Sequence, residues 1–171
     1  MHMIMIRLAA FLGSINMKIR LLTITHKSPS WIQEGYEEYA KRLPASCSLE
    51  LIEIPAEKRS INADLKRITQ REGEKMLRAI KSNHLVIALD VKGKEWSTEQ
   101  LSEQLANWHL NGRNVDLLIG GPEGLATDCL NKAELSWSLS RLTFPHILVR
   151  LIVAEQIYRA YSLMNNHPYH R

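Results

Sequence analysis

Three glycines and a proline follow a short apolar run in the sequence V-D-L-L-I-G-G-P-E-G at positions 115–124. The apolar run is typical of a strand that is buried on both faces of a parallel sheet. Glycines directly after such a strand leave bare backbone at the carboxyl edge of the sheet, where open α/β folds bind ligands. A flat ligand can approach the main chain at Gly120 and Gly121. The alternative is a tight turn whose glycines only supply positive φ.

The glycine loop lacks the features of the common phosphate-binding loops. No Lys-Ser/Thr pair follows the glycines, Pro122 removes an N–H that such a loop would use, and the spacing G-x-G-x-x-G is absent. The loop therefore predicts a ligand other than a polyphosphate. The two cysteines, Cys47 and Cys129, stand far apart without C-x-x-C spacing, so we predict neither a disulfide nor a metal site and expect a reducing, cytoplasmic location.

The composition is that of one globular domain. The chain has 171 residues, of which 45% are hydrophobic and 23% are charged, and this balance excludes wholesale disorder. A net charge of +4 is compatible with a nucleic-acid partner but does not require one. The apolar run within residues 1–16 is too short to span a bilayer. We expect residues 1–16 to be an N-terminal extension that activity does not need, residues 17–171 to be the domain, and no membrane association.

Strand and helix patterns alternate along the chain, which predicts an α/β fold with a mostly parallel sheet flanked by helices. Ser97 and Gln100 have the spacing of a capping box at a helix start, and Lys92-Gly93-Lys94 is predicted to be a basic turn. Strands are predicted near residues 18–24, 48–54, 85–89, 115–119 and 135–139, and helices near residues 28–43, 63–80, 97–110, 128–133 and 146–164.

Several loops at the ends of these strands are predicted to converge on one crevice. Leu89 ends one apolar strand, the glycines at 120 and 121 end the next, and residues 140–145 follow a third. On pattern alone, Leu89 and Leu142 would also be satisfactory core residues, and Thr143 would also serve as a cap for the last helix. The first half of that helix, residues 147–154, is apolar nearly all round, which predicts a second packing face and hence a dimer interface.

From residue 17 to residue 171 the chain resembles the SPOUT family of RNA methyltransferases, in particular its small members that act on large-subunit ribosomal RNA. Each motif alone is weak, and the combination is specific. Residues 1–16 match nothing in the family pattern. The resemblance is carried by G-G-P-E-G at 120–124, W-S-L-S at 137–140, L-T at 142–143, P-H at 145–146, L-V-R at 148–150, A-E-Q at 154–156, Y-R-A at 158–160, N-H-P-Y-H-R at 166–171, and upstream by residues 50–56 and 62–64.

The resemblance implies a single-domain SPOUT fold with a C-terminal trefoil knot, a homodimer, and S-adenosylmethionine as methyl donor. It implies methylation of N3 of a pseudouridine in the hairpin of 23S ribosomal RNA that bridges the two subunits. The adenine would lie between Leu89, Leu142 and Pro145. The cofactor-binding residues that it implies are Leu89, Gly120, Gly121, Ser140, Arg141, Leu142, Thr143, Phe144 and Pro145.

Methyl transfer to N3 requires an aligned acceptor nitrogen and help with loss of its proton. His146 adjoins the cofactor loop, although a histidine at a helix start is often a cap or a surface residue. Glu155 and Arg159 have the spacing of an ordinary helix salt bridge, and within a dimer they would orient the RNA. A polar tail is often disordered, but its aromatic, histidine and arginine residues suit base stacking and phosphate contact. The catalytic candidates are therefore His146, Glu155, Arg159, Tyr169, His170 and Arg171.

Cations near these loops are candidates for contact with RNA. Lys92, Lys94, Arg141, Arg150 and Arg171 lie on or beside predicted site loops, and Lys58, Arg59 and Lys66 extend the patch. The modest net charge predicts that a larger partner such as the assembled ribosome shapes the acceptor. Two other functions remain open: a methyltransferase of the same fold that acts on a different RNA, and a non-catalytic ribosome-binding module.

Overall fold

A five-stranded parallel sheet forms the centre of the molecule. The structure is a computed structural model that describes residues 16–170, and of His170 only the backbone. The strands are β1 (Met17–Thr25), β2 (Cys47–Pro55), β3 (Leu85–Glu95), β4 (Val115–Ile119) and β5 (Leu135–Ser138). Their order across the sheet is β2-β1-β4-β3-β5, and every neighbouring pair is parallel. This confirms the predicted α/β class; the proposed N-terminal extension lies outside the described residues, apart from Asn16.

Helices connect the strands and cover both faces of the sheet. Ser97 and Gln100 form the predicted capping box, and Asp64 caps the second helix by accepting the N–H of Arg67. The first helix begins later than predicted, because Pro29 is its N-cap rather than its first helical residue. No helix in the described part of the chain is long and apolar enough to cross a membrane. The helices are α1 (Ser30–Ala40), α2 (Leu65–Ala79), α3 (Thr98–Leu110), α4 (Thr127–Lys132), α5 (His146–Met164) and a 3-10 turn (Pro168–His170).

The sheet has an apolar core on each face. On one face, α1, α3 and α5 pack over side chains such as Leu21, Ile87 and Leu117. On the other face, Leu22 and Leu118 pack with Met76 of α2 and Cys129 of α4. All five residues of β4 are buried, as the apolar run predicted, because β4 lies between two strands and beneath helices on both faces. Since all strands are parallel, the loops that follow them share one edge of the sheet.

The predicted basic turn at Lys92-Gly93-Lys94 is wrong, because β3 continues through it to Glu95. Leu89 and Lys94 both pair with Trp137 of β5, so residues 90–93 bulge out and the strand then resumes. A Cβ atom at Gly93 would lie 2.6 Å from the carbonyl carbon of Trp137, so only glycine lets the two backbones approach this closely. The bulge carries residues 90 and 91 to the carboxyl edge of the sheet, a common use of such irregularities next to binding sites.

Candidate active site

A cleft of about 570 Å³ opens at the carboxyl edge of β3, β4 and β5. Its volume is within the range of small-molecule sites. Its walls come from the end of β3, the glycine loop after β4 and the loop between β5 and α5, which are the three segments that the sequence predicted to converge. The cleft is lined by these predicted residues: Leu89, Gly120, Gly121, Ser140, Leu142, Thr143, Phe144, Pro145 and, from the catalytic candidates, His146.

Arg141 is the predicted cofactor residue that does not line the cleft. The loop turns tightly around it, because the N–H of Leu142 donates to Oγ of Ser140 over 3.0 Å. The Arg141 side chain is therefore directed outward, where it is 90% exposed and donates to Glu95 over 3.2 Å. Because successive side chains of this turn point in different directions, the Arg141 side chain points away from the cleft while its neighbours line it.

The glycine loop is a tight turn, as the alternative interpretation had it. The N–H of Gly124 donates to the carbonyl of Gly121 over 2.9 Å, and Gly124 has φ of +84°. A Cβ atom at Gly120 would lie 2.3 Å from the carbonyl carbon of Gly124, so the loop can close on itself only with glycine there. The missing side chain of Gly120 thus serves the folding of the loop, and Gly120 and Gly121 both line the cleft.

Arg59 holds this turn in place, a role that the sequence did not reveal. Its guanidinium donates to Glu123 in the turn over 2.5 to 3.2 Å and to both carboxylate oxygens of Glu72 in α2 over 3.0 and 3.1 Å. It also donates to the carbonyl of Glu57 over 3.0 Å. Glu72 is almost fully buried between Ile68 and Met76 on the inward stripe of α2. A glutamate within an apolar stripe is the sequence signal that was available for this bridge.

The charges within the bridge stabilise each other. Hydrogen bonds from Arg59 lower the pKa of Glu123, and the two carboxylates raise the pKa of Arg59, with Glu123 as the larger contributor. A Cβ atom at Gly121 would lie 3.2 Å from Nη2 of Arg59, so the guanidinium packs closely beneath the turn. We call this group of Arg59, Glu72 and Glu123 the cleft bridge. It links α2 and the loop after β2 to one wall of the cleft.

His146, the first residue of α5, is half-buried at the cleft wall. Burial is the largest influence and lowers its pKa, and the nearby cations Arg59 and Arg150 lower it further, as does His26. Glu123 acts in the opposite direction. At neutral pH the imidazole is therefore held in its neutral form, which can accept a proton.

The other catalytic candidates lie elsewhere. Arg159 donates to Oε1 of Glu155 over 2.5 and 2.9 Å, which is the predicted helix salt bridge, and the Tyr169 hydroxyl donates to the same oxygen over 3.2 Å. Glu155 lies nine positions after His146 in the helix, or about 13.5 Å along the axis. Of His170 the structure describes only the backbone, and Arg171 lies outside the described residues. One chain therefore does not bring Glu155, Arg159 and Tyr169 to the cleft.

The tail packs more tightly than its polar composition predicted. The Tyr169 ring lies 4.7 Å from the Tyr158 ring and 6.4 Å from the Tyr39 ring, and the Arg159 guanidinium lies 5.2 Å from the Tyr169 ring centre. Burial, followed by hydrogen bonding with Tyr39, raises the pKa of Tyr169. The tail is thus ordered against α5 at least as far as residue 170, because its tyrosine supplies the apolar surface that the other residues lack.

Arg150 was expected to contact RNA, and the structure contradicts this. Its side chain is fully buried beneath the first turns of α5, where Nη1 donates to Glu53 over 2.6 Å. Its Nε and Nη2 atoms have no hydrogen-bond partner among residues 16–170. An arginine next to apolar Val149 and Leu151 gave no sequence signal of burial. Lys92 and Lys94, by contrast, are exposed as expected.

Similarity to known proteins identifies the family. A family profile described as "Predicted SPOUT methyltransferase" matches residues 17–170. The chain belongs to the SPOUT methyltransferase family. Two relatives, each named "Ribosomal RNA large subunit methyltransferase H", are 56% identical (Marinomonas sp. strain MWYL1) and 55% identical (Methylococcus capsulatus), in both cases over 155 residues that cover 91% of this chain and 100% of the relative.

A solved structure of low sequence identity shares the SPOUT chain's fold. It is a probable methylase family protein from Haemophilus influenzae Rd KW20, with a TM-score of 0.54 and 14% identity, covering 92% of this chain and 71% of that one. Within residues 16–170, no group of three or more His, Cys, Asp or Glu residues could hold a metal ion.

Proposed function

We propose that this SPOUT chain is an S-adenosylmethionine-dependent methyltransferase of large-subunit ribosomal RNA that modifies N3 of a pseudouridine on the assembled ribosome. The names of its two relatives, at 55% and 56% identity over their whole lengths, support the ribosomal RNA substrate. The main support for this cofactor is the cleft, where three separate segments provide the residues that the family resemblance assigns to it, with the exception of Arg141. Such a protein would work in the cytoplasm, where ribosomes are assembled.

The lining of the cleft fits this cofactor. Leu89, Leu142 and Pro145 offer apolar surfaces to an adenine ring, and the adjoining turns offer backbone N–H and C=O groups. Among the described residues, no lysine or arginine lines the cleft, whereas the carboxylates Asp90 and Glu123 do. This polarity would repel a polyphosphate and complement a cation. When bound, S-adenosylmethionine supplies a methyl group that is already activated by a positively charged sulfur.

The contribution of the protein is then alignment and proton removal. The turn at 121–124 and the loop at 140–145 fix the cleft walls, so that an acceptor base enters from the open side in one orientation. We assign proton acceptance to His146, because it stands at the cleft wall and its lowered pKa keeps the imidazole neutral. When N3 takes the methyl group, the proton of the N3–H bond would pass to the imidazole, and the bond between the methyl carbon and the donor sulfur would break with its electron pair remaining on the departing sulfur.

The proposal includes a homodimer that packs through α5. Apolar residues of α5 remain half-buried in the single chain, namely Ile147, Leu148, Leu151 and Ile152. The cluster of Glu155, Arg159 and Tyr169 is too distant to act in its own cleft, so a partner chain packed on α5 would let it orient RNA near the partner's cleft. We also include in the proposal the C-terminal trefoil knot that the resemblance implies.

Methyl transfer tests the function directly. Labelled S-adenosylmethionine would be incubated with the protein and with ribosomes, separated subunits or free ribosomal RNA from cells that lack this protein. We expect label on one pseudouridine of the large-subunit RNA, most strongly in the assembled ribosome. A bound cofactor without transfer would favour a non-catalytic ribosome-binding module, and label on another RNA would favour a different substrate.

A paired variant tests whether the cleft holds the cofactor. Leu142→Arg changes a side chain that lines the cleft but is 70% exposed, so the fold should tolerate it. We expect it to reduce cofactor affinity by at least about tenfold, because a cation enters a site built for a cation. Leu110→Arg, at the opposite edge of the sheet, is the matched control. Equal affinity in the two variants would contradict the assignment of the cleft.

A further inference from the structure

Four cations on the α2 side of the cleft have no ion-pair partner among the described residues. Lys58, in the loop before α2, and Lys66, Arg67 and Arg71, on the outer side of the helix, are all exposed. The salt bridges of this region involve other residues: Lys75 pairs with Glu57, and Arg78 with Glu74. We call the four residues the α2 basic surface.

The position of these cations is unfavourable for the isolated helix. Lys66 and Arg67 stand in the first turn of α2, which contains no acidic residue. Cations at a helix N-terminus oppose the helix dipole, and like charges four residues apart, such as Arg67 and Arg71, repel each other. Asp64, the N-cap of α2, and Glu57, which attracts Arg71 electrostatically, offset this arrangement only in part. An anionic partner bound outside the helix would offset both repulsions.

The α2 basic surface adjoins the cleft. Helix α2 begins at the carboxyl edge of the sheet, because it follows β2 after a short loop. Arg59 in that loop, next to Lys58, is bonded to Glu123 of the turn that lines the cleft. The cleft bridge therefore holds the basic surface and the cleft wall in a fixed relation. Ile61, fully exposed in the same loop, adds an apolar contact at this rim.

We propose that the α2 basic surface binds the phosphate backbone of the ribosomal RNA whose nucleotide enters the cleft. The proposal rests on the proposed function and specifies how the same substrate is held. Lysine and arginine side chains in open solution neutralise phosphates, while the cleft itself, with Asp90 and Glu123, offers no attraction to them. In this proposal the cleft binds the base and the cofactor, and the α2 basic surface binds the RNA backbone beside them.

The test is a double charge reversal, Arg67→Glu with Arg71→Glu. The variant keeps a like-charge pair at these two positions and exchanges a cation for an anion in the first turn, so its unfolding temperature should stay close to that of the wild type. Binding to free large-subunit ribosomal RNA would be measured as a function of KCl concentration. We expect affinity to fall by about tenfold or more, and the slope of log K against log salt to decrease in magnitude by about 1.4 to 1.8, as for two lost phosphate contacts. Cofactor affinity should not change.

Lys81→Glu with Lys132→Glu is the matched control, because these two lysines are exposed, form no ion pair among the described residues and lie near the opposite edge of the sheet. The control should bind RNA with nearly the wild-type salt slope. Equal losses in both double variants would show a general charge effect and overturn the proposal, as would wild-type binding by the α2 variant. Failure of the proposed function would give a different result from failure of this proposal, because the wild-type chain would then transfer no methyl group to ribosomal RNA.

Discussion

Two ionic clusters of similar chemistry occupy opposite edges of the sheet. At the amino edge, Asp116 is fully buried and accepts from Arg20 over 3.0 Å, from the N–H of Lys81 over 3.0 Å and from His84 over 2.9 Å. We call these groups the Asp116 cluster. At the carboxyl edge, the cleft bridge is partly open, with the Arg59 and Glu123 side chains 19% and 25% exposed.

The difference lies in what each cluster joins. The Asp116 cluster connects β1 and β4 to the chain after α2, all of which are fixed parts of the fold. The cleft bridge connects a buried carboxylate of α2 to a turn that forms a wall of the cleft. The same pairing of arginine with carboxylate thus stabilises the fold at one edge and positions a binding loop at the other. Loss of the first should appear in stability, and loss of the second in binding.

The largest effect is expected for Asp116→Ala. It leaves the buried Arg20 without its carboxylate, and removing one partner of a buried ion pair costs about 3 to 5 kcal/mol. The free energy of unfolding, from urea denaturation, should fall by that amount, while the folded fraction binds the cofactor as the wild type does. Glu134→Gln alters an exposed pair with Arg113, which keeps its bonds to the carbonyls of Asn83 and His84, and should cost less than about 1 kcal/mol. Similar losses in the two variants would contradict the comparison.

Glu123→Gln is expected to have a smaller effect, on binding rather than on stability. Arg59 keeps both bonds to buried Glu72, so the free energy of unfolding should change by less than about 1 kcal/mol. A charge-assisted bond to the turn becomes a neutral one, which is weaker by about 1 kcal/mol, and cofactor affinity should fall about fivefold as the turn loosens. Calorimetric titration measures this change. Glu134→Gln, which alters the Arg113 pair, is the control, and an equal loss of affinity there would refute the role of the cleft bridge.

The sequence predicted what local patterns determine. The alternation of apolar runs with helical stretches indicated the parallel sheet, and the Ser97 to Gln100 spacing indicated a cap that the structure contains. The convergence of three loops on one cleft also followed, because the carboxyl ends of parallel strands must meet at one edge. These inferences need no knowledge of which residues touch across the chain.

Contacts between distant segments were not predictable in this way. The bulge of β3 depends on the approach of Gly93 to the backbone of Trp137, 44 positions later in the numbering. Arg59 finds its partner Glu123 across a similar gap of 64 positions. The burial of Arg150 depends on its pairing with Glu53, 97 positions away. In each case the residue type suggested a turn or a solvated charge, whereas contacts with a distant segment give the residue a different conformation or environment.

The last and smallest effect is a shift in the pH dependence of methyl transfer. The folded-state pKa of His146 is lowered, so the neutral imidazole needed for proton acceptance is present above that pKa and is lost as pH falls through it. The rate of methyl transfer at saturating substrates should therefore fall on the acid side, below the ordinary histidine value of about 6.5. Glu123 raises the pKa of His146, so Glu123→Gln should move this acid limb to still lower pH. In His146→Gln most of the rate should be lost, and the remaining rate should show no acid limb. If the acid limb stays at the same pH in Glu123→Gln, the charge of Glu123 does not influence the proton-accepting group. The role of the cleft bridge would then be only to hold the turn.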